Sequence, residues 1–110
     1  MQAMTVDFVI YGFQKTLKVG ILLAEESMDI VILDSAYKHG ITKESILSFL
    51  FNVRGGKVLD DPPLKHLLVG FDHLGNPLEV IAIEQEGQNQ MVVIHAMKLQ
   101  KQYYYLLEGN

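Results

Sequence analysis

The sequence contains no cysteine, and its hydrophobic runs are short. Without cysteine the chain has neither a disulfide framework nor a thiolate zinc site, which fits a reducing compartment. The longest apolar runs, such as residues 19–24, fall far short of the roughly 20 residues of a membrane-spanning helix. Lys15 and Lys18 interrupt the first apolar stretch and no small-residue cleavage site follows, so we expect no signal peptide. These absences predict a cytoplasmic protein that is not bound to a membrane.

Positive charge is also scarce, because nine Lys and Arg stand against 13 Asp and Glu, for a net charge of -4. A field of this sign does not attract nucleic acid, so RNA binding requires a local basic patch. Hydrophobic residues make up 49% of the chain and charged residues 20%, as in a globular domain rather than a disordered chain. The length of 110 residues predicts one domain.

The chain divides near Met28. Upstream of it, residues 5–13 have the pattern of a strand, whereas residues 14–25 fit a helix or a second strand, because short apolar runs look alike. Met28 is itself a candidate translation start. Residues 1–27 are therefore interpreted as an extension of uncertain role, and residues 28–110 as the domain proper.

Downstream of Met28 the pattern predicts an α+β fold. Residues 29–33 form a short β-type run, and Thr42 can cap a helix over residues 42–52 by accepting a hydrogen bond from the Ser45 amide. The apolar residues of this helix have the spacing of one buried face: Ile46, Phe49, Leu50 and Val53. The helix is expected to end before Gly55-Gly56, and a last helix is expected over residues 99–107.

Three strand candidates follow the first helix, at residues 64–71, 78–85 and 89–97. Their connections are short, so we expect them to be antiparallel neighbours in sequential order, with the first helix on one face. Residues 80–83 are all apolar, so this strand should present apolar side chains to both faces of the sheet. We therefore expect other parts of the chain to pack against both faces at this strand. The overall expectation is a small antiparallel sheet of three to four strands.

Four histidines are the candidate acids and bases, since the imidazole group titrates near neutrality. His73 falls in the turn at residues 72–76, and His66 begins a strand, where we expect exposure. His95 interrupts an apolar run, so its polar ring needs a partner. One alternative is a core histidine that is hydrogen-bonded to backbone or to Glu79, and the other is a histidine that reaches a groove. A three-residue loop over residues 85–87 would put Glu79 and His95 on the same face, whereas a two- or four-residue loop would not. Gly87 suits the last position of a three-residue loop, so we expect the same face.

The order of several short motifs resembles the BrnT-type toxins of bacterial toxin–antitoxin systems, which are similar in fold to RelE-type ribonucleases. The resemblance covers residues 37–106, and its motifs are Lys38-His39-Gly40-Ile41, Asp61-Pro62, Leu68-Val69-Gly70-Phe71-Asp72, Leu78-Glu79-Val80 and Val93-Ile94-His95-Ala96-Met97 before a tyrosine-rich helix. It implies a compact antiparallel sheet with helices packed on one face, metal-independent RNA cleavage without a cofactor, and a partner antitoxin. The sequence departs from the family in net charge and in an arginine that the family often has at the position of Met97, with Lys98 one residue later.

RNA cleavage without a metal needs a base, an acid and cations for the developing charge. The predicted catalytic residues are His95, His39, Lys98 and Arg54. The residues predicted to bind RNA are Lys65, Lys101 and Tyr104, because lysines can contact phosphates and an exposed tyrosine can stack on a base. The leading hypothesis is therefore a toxin that is an endoribonuclease. The alternative is a catalytically silent module of the same fold, kept for contacts with a partner or in a homodimer.

Overall fold

The computed structural model describes residues 4–10, 13–19, 29–59, 64–85 and 90–108. Near the N-terminus, β1 (Met4–Ile10) and β2 (Phe13–Val19) pair antiparallel in a two-stranded sheet of their own. Of the two alternatives for residues 14–25, the second strand is thus right as far as Val19. Residues 20–25 lie outside the described ranges.

The main sheet has five strands in the order β3-β7-β6-β5-β4. Its strands are β3 (Asp29–Ile32), β4 (Val53–Leu59), β5 (Lys65–Phe71), β6 (Pro77–Gln85) and β7 (Gln90–Lys98). The strands from β4 to β7 are antiparallel in sequential order, whereas β3 pairs parallel to β7. The three predicted strands and their antiparallel order are confirmed. The expected strand count is too low, and the sheet is mixed rather than antiparallel throughout.

The first helix begins where its cap predicts and ends early. In α1 (Lys43–Phe49), the hydroxyl of Thr42 accepts the Ser45 amide at 3.1 Å. The predicted end at residue 52 is wrong, because the helix ends at Phe49 and the chain turns before β4 begins at Val53. Gly55-Gly56 was expected to stop a helix but belongs to that strand. Gly56 is required there, since a Cβ would lie 2.3 Å from the carbonyl oxygen of Leu67 on β5.

The described ranges also contain two short 3₁₀ helices, one at Asp34–Tyr37 and one at Lys101–Glu108. The second is called the C-terminal helix below, and it starts two residues later than expected. No helix in the described part of the chain has the length and apolarity needed to span a bilayer.

Each face of the sheet is covered by different elements. On one face, Ile46 and Phe49 of α1 pack in a cluster with Leu68, Val80 and Val93. On the other face, Leu106 and Leu99 pack with Leu67 and Val69. The prediction that both sides of the central strands are covered is confirmed. The expectation that the helices share one face is wrong for the C-terminal helix, because apolar side chains alternate to both sides of β5 and each side must be buried.

Candidate functional site

A bulge in β7 sets the direction of His95. Ile81 pairs with His95, whereas the next residue, Ala82, pairs with Val93, so Ile94 is an extra residue in the ladder. The hydroxyl of Ser35 donates a hydrogen bond of 2.7 Å to the carbonyl oxygen of Ile94. Through this hydrogen bond, the 3₁₀ helix at Asp34–Tyr37 fixes the backbone of the bulge.

This bulge also decides which residues face His95. Gln85 pairs with Gln90, so four residues separate β6 from β7, not the predicted three. Residues 86–89 themselves lie outside the described ranges. Four residues alone would put Glu79 and His95 on opposite faces, but the extra residue at Ile94 restores the same face. The same-face prediction is confirmed, although the reason given for it is wrong.

Glu79 is a buried carboxylate that orients His95. Its side chain is only 2% exposed, and its Oε2 lies 3.3 Å from Nε2 of His95. Gln100 donates its backbone amide to Oε1 at 3.0 Å and its side-chain amide to Oε2 at 3.1 Å. Because a carboxylate only accepts hydrogen bonds, Nε2 of His95 carries the proton in this contact. Among the described residues, Nδ1 of His95 has no hydrogen-bond partner, so it can act on a substrate.

His39 lies against His95. The two ring centroids are 5.5 Å apart with an edge-to-face angle of 74°. His39 is exposed and precedes Gly40, whose φ of +81° turns the chain toward α1. The ring of His95 is 22% exposed. Since β3 pairs only with Gln90–Val93 of β7, this pair of imidazoles lies on the part of the strand that β3 leaves uncovered.

A cleft of 330 Å³ lies on the α1 face of the sheet. It is lined by the segment that enters α1, by the β5–β6 turn and by the end of β7, and its lining includes Ile41, Thr42, Asn76, Leu78 and Lys98. Gly40, the neighbour of His39, also lines the cleft. Lys98 pairs with Leu78 and faces α1, whereas His95 pairs with Ile81 and faces the other side of the sheet. The histidine pair and the cleft therefore lie on opposite faces of β7, and the chain passes from one to the other between His39 and Gly40.

Asp72 forms part of the cleft wall and holds its turn together. Its Oδ1 accepts the backbone amides of Leu74 and Asn76 at 2.9 and 2.8 Å. Its Oδ2 accepts the hydroxyl of Ser45 and the side-chain amide of Asn76 at 2.9 and 3.1 Å. Burial raises the pKa of this carboxyl, but the hydrogen bonds outweigh burial and lower the pKa to about 2. Asp72 is therefore a fixed negative charge at neutral pH.

We expect the stability supplied by Asp72 to be lost in acid. The pKa of about 2 in the folded state lies below the ordinary value of 3.8, so this contribution is complete above 3.8 and disappears as the pH falls toward 2. At pH 7, Asp72→Asn should lower the free energy of unfolding by about 2 kcal/mol, since an amide nitrogen would face donors. Urea unfolding of both proteins across this pH window would test this. A difference that stays constant down to the lowest pH would contradict it.

The structure does not bring all the predicted site residues together. Lys98 lines the cleft, but Lys65 pairs with Ile83 whereas Lys98 pairs with Leu78, so the two lysines lie at opposite ends of the sheet, about 17 Å apart along the strands. Arg54 is on β4, three strands and about 14 Å from β7, and its guanidinium lies 5.6 Å from the centre of the Phe71 ring. Arg54, Lys65 and Lys98, three of the predicted site residues, therefore do not form a common basic groove.

The other candidates lie outside the cluster. Lys101 and Tyr104 are exposed on the C-terminal helix, and Tyr104 is 47% exposed. His73 is exposed in the β5–β6 turn, where its Nδ1 lies 3.1 Å from the hydroxyl of Ser48. His66, expected to be exposed, is buried in β5 at 4% exposure. Of the four histidines, only His39 and His95 share a site.

Comparisons of the chain with family models, with curated proteins and with solved structures found no match. The fold and the site define a small α+β protein with a carboxylate-oriented pair of histidines on one face of a mixed sheet and a cleft on the other. Function is therefore inferred from the chemistry of that site.

Proposed function

We propose that this protein is a metal-independent endoribonuclease, the toxin of a bacterial toxin–antitoxin pair, acting in the cytoplasm. The observation that carries the proposal is the contact of His39 with His95, whose ring is fixed by the buried carboxylate of Glu79. Two adjacent imidazoles, one of them oriented by a carboxylate, supply an acid and a base within reach of one phosphate. The resemblance of residues 37–106 to BrnT-type toxins supports the same chemistry.

The reaction can be written with these groups alone. Nδ1 of His95 takes the proton of a ribose 2′-hydroxyl, whose oxygen then attacks the adjacent phosphorus. As the new P–O2′ bond forms, the P–O5′ bond breaks, and His39 gives a proton to the departing 5′-oxygen. The side chain of Lys98 points to the other face of β7, so the developing charge on the phosphate is met by the imidazole that carries the proton. The products are a 2′,3′-cyclic phosphate and a 5′-hydroxyl end.

Contacts on the C-terminal helix would help to hold the RNA. Lys101 and Tyr104 are both exposed on the C-terminal helix, where a lysine can contact a phosphate and a tyrosine can stack on a base. With a net charge of -4 the protein has little general attraction for RNA, so recognition depends on such local contacts. An antitoxin would silence the enzyme by covering the histidine pair.

The test is cleavage of RNA by the purified full chain in excess EDTA. We expect a single-stranded RNA of mixed sequence to be cut, leaving 2′,3′-cyclic phosphate ends that mass spectrometry identifies. The double variant His39→Ala/His95→Ala, purified in the same way, controls for contaminating nuclease. Equal cleavage by the two proteins, or none by the wild type at near-stoichiometric concentration, would overturn the proposal.

One observation favours the second candidate, a catalytically silent interaction module. Arg54 and Lys65 lie away from the histidines, so within the described ranges the cleft has one cationic side chain in its lining, that of Lys98. Tyr104 and Tyr105 also expose about half of their surfaces, at 47% and 51%, as residues at partner contacts do. A protein without ribonuclease activity whose expression with its neighbouring gene yields a stable complex would fit this alternative.

A further inference from the structure

We propose that His39 and His95 bind a divalent transition metal ion, with Zn²⁺ as the representative, and that the bound ion inhibits the site. The ion takes Nδ1 of His95, the atom assigned above to the base, together with a ring nitrogen of His39. This inference rests on the proposed ribonuclease function for its effect on RNA cleavage, whereas binding of the ion can be measured without RNA.

The distance between the two rings fits two ligands of one ion. A zinc–nitrogen bond is about 2.0–2.1 Å long, and the bonds of a four-coordinate zinc ion diverge tetrahedrally, so two imidazoles on one ion have ring centroids about 5 Å apart. The centroids of His39 and His95 are 5.5 Å apart. The side chain of His39 is exposed, so its ring can turn to direct a nitrogen at the ion.

The hydrogen bond between His95 and Glu79 is one that metal-binding histidines usually make. A histidine that binds a metal through one ring nitrogen commonly donates the N–H of the other to a carboxylate, which fixes the ring and raises the basicity of the ligand. Nε2 of His95 lies 3.3 Å from Oε2 of Glu79, and Gln100 holds this carboxylate with two hydrogen bonds. Nδ1 of His95 is therefore oriented as a ligand before an ion arrives.

The charge on this face of the sheet favours a cation. Glu79 is a buried carboxylate in contact with His95. Lys98, the basic residue at the end of β7, pairs with Leu78, so its side chain points to the α1 face. The attraction of Glu79 for a cation is therefore not opposed by Lys98.

The donor atoms decide which ions the pair can bind. Imidazole nitrogen suits Zn²⁺, Cu²⁺ and Ni²⁺, whereas Mg²⁺ and Ca²⁺ prefer oxygen ligands. Within the described ranges, no third His, Cys, Asp or Glu joins the two histidines in a metal-binding cluster. The ion therefore has two protein ligands and completes its coordination with water, so it exchanges with the solution.

A bound ion removes both proton-transfer groups at once. Nδ1 of His95 cannot take a proton while its lone pair is coordinated, and a coordinated imidazole of His39 cannot deliver one, since ligating histidines are unprotonated at the bound nitrogen. Zn²⁺ is therefore an inhibitor of the proposed reaction. Cleavage is fastest when a chelator keeps the histidines free.

Binding is tested by isothermal titration calorimetry of the full chain with ZnCl₂ at neutral pH, after treatment with EDTA and dialysis. We expect His39→Ala to abolish binding at the site, and the fold to be kept, since this side chain is exposed. Glu79→Gln should weaken binding about 10- to 100-fold, the usual cost of losing the carboxylate behind a ligating histidine. The matched control is His73→Ala, which removes an exposed histidine of the β5–β6 turn and should bind Zn²⁺ like the wild type.

Zn²⁺ binding that survives His39→Ala, or that is lost in His73→Ala, would overturn the site, and so would equal binding of Mg²⁺. In the RNA assay, saturating Zn²⁺ should suppress cleavage and EDTA should restore it. A wild type that binds Zn²⁺ at the two histidines but cuts no RNA in EDTA would refute the ribonuclease proposal and leave the metal site intact. A wild type that cuts RNA but binds no Zn²⁺ would refute the metal site alone.

Discussion

Replacing His95 with alanine is expected to slow RNA cleavage by about 10²- to 10⁴-fold, because the reaction loses its oriented base. The carboxylate of Glu79 keeps both hydrogen bonds from Gln100 in this variant, so the fold should be retained. The measurement is the single-turnover rate of cleavage in EDTA, with thermal unfolding followed by circular dichroism on the same sample. Expression of the wild type alone in bacteria should slow growth, and the variant should relieve this.

The matched control is His73→Ala, which removes an exposed histidine from the β5–β6 turn, outside the cluster. It should cleave RNA at the wild-type rate. A His95→Ala protein that stays fully active and toxic would make this histidine structural, as a partner of Glu79 only. In that case the assignment of the base would move to His39.

The second large effect is expected at Gly56, where the added methyl group of Gly56→Ala should destabilise the fold by about 3 kcal/mol. Its Cβ would lie 2.3 Å from the carbonyl oxygen of Leu67, and this neighbour is backbone of β5, which is held between β4 and β6. The clash can be relieved only by moving β4 away from β5. Urea unfolding at pH 7 measures the change, and a shift within error of the wild type would contradict it.

Gly75→Ala serves as the comparison for Gly56. At Gly75 an added Cβ has no atom within 4 Å, but φ is +82°, so only the cost of a left-handed backbone applies. That cost is about 1 kcal/mol. The two variants carry the same chemical change, so the larger loss at Gly56 isolates the steric contact between the strands.

Much of the fold was predictable because its signals are local. The cap at Thr42 and the apolar runs of β5, β6 and β7 are marks that a short stretch of sequence carries by itself. The strand β4 was missed because Gly55-Gly56 looks like a stop signal, whereas the close approach of β5 that requires Gly56 depends on tertiary structure. The parallel pairing of β3 with β7 joins residues about 60 positions apart, beyond the range of any local pattern.

The candidate site was predictable in its residues more than in its geometry. Histidine and glutamate stand out in apolar strands, which singled out His95 and Glu79. The two hydrogen bonds that Gln100 donates to Glu79 could not be predicted, because a glutamine between a strand and a helix is common and does not stand out in the sequence. Asp72 fell within a recognised turn, yet its four hydrogen bonds depend partly on Ser45 of a distant helix. Arg54 and Lys65 were grouped with Lys98 by charge alone, and the sheet separates them.

The bulge at Ile94 also makes the site independent of the hairpin that precedes it. Every pair from Ile81 and His95 to Leu78 and Lys98 lies beyond the bulge, and Ser35 of another element holds its carbonyl oxygen. The pair of Gln85 and Gln90, the last described residue of β6 and the first of β7, lies on the other side of the bulge, and residues 86–89 connect the two strands in the sequence. A protein engineer could therefore lengthen that connection, or graft a peptide tag into it, without turning the imidazole of His95 away from its partners.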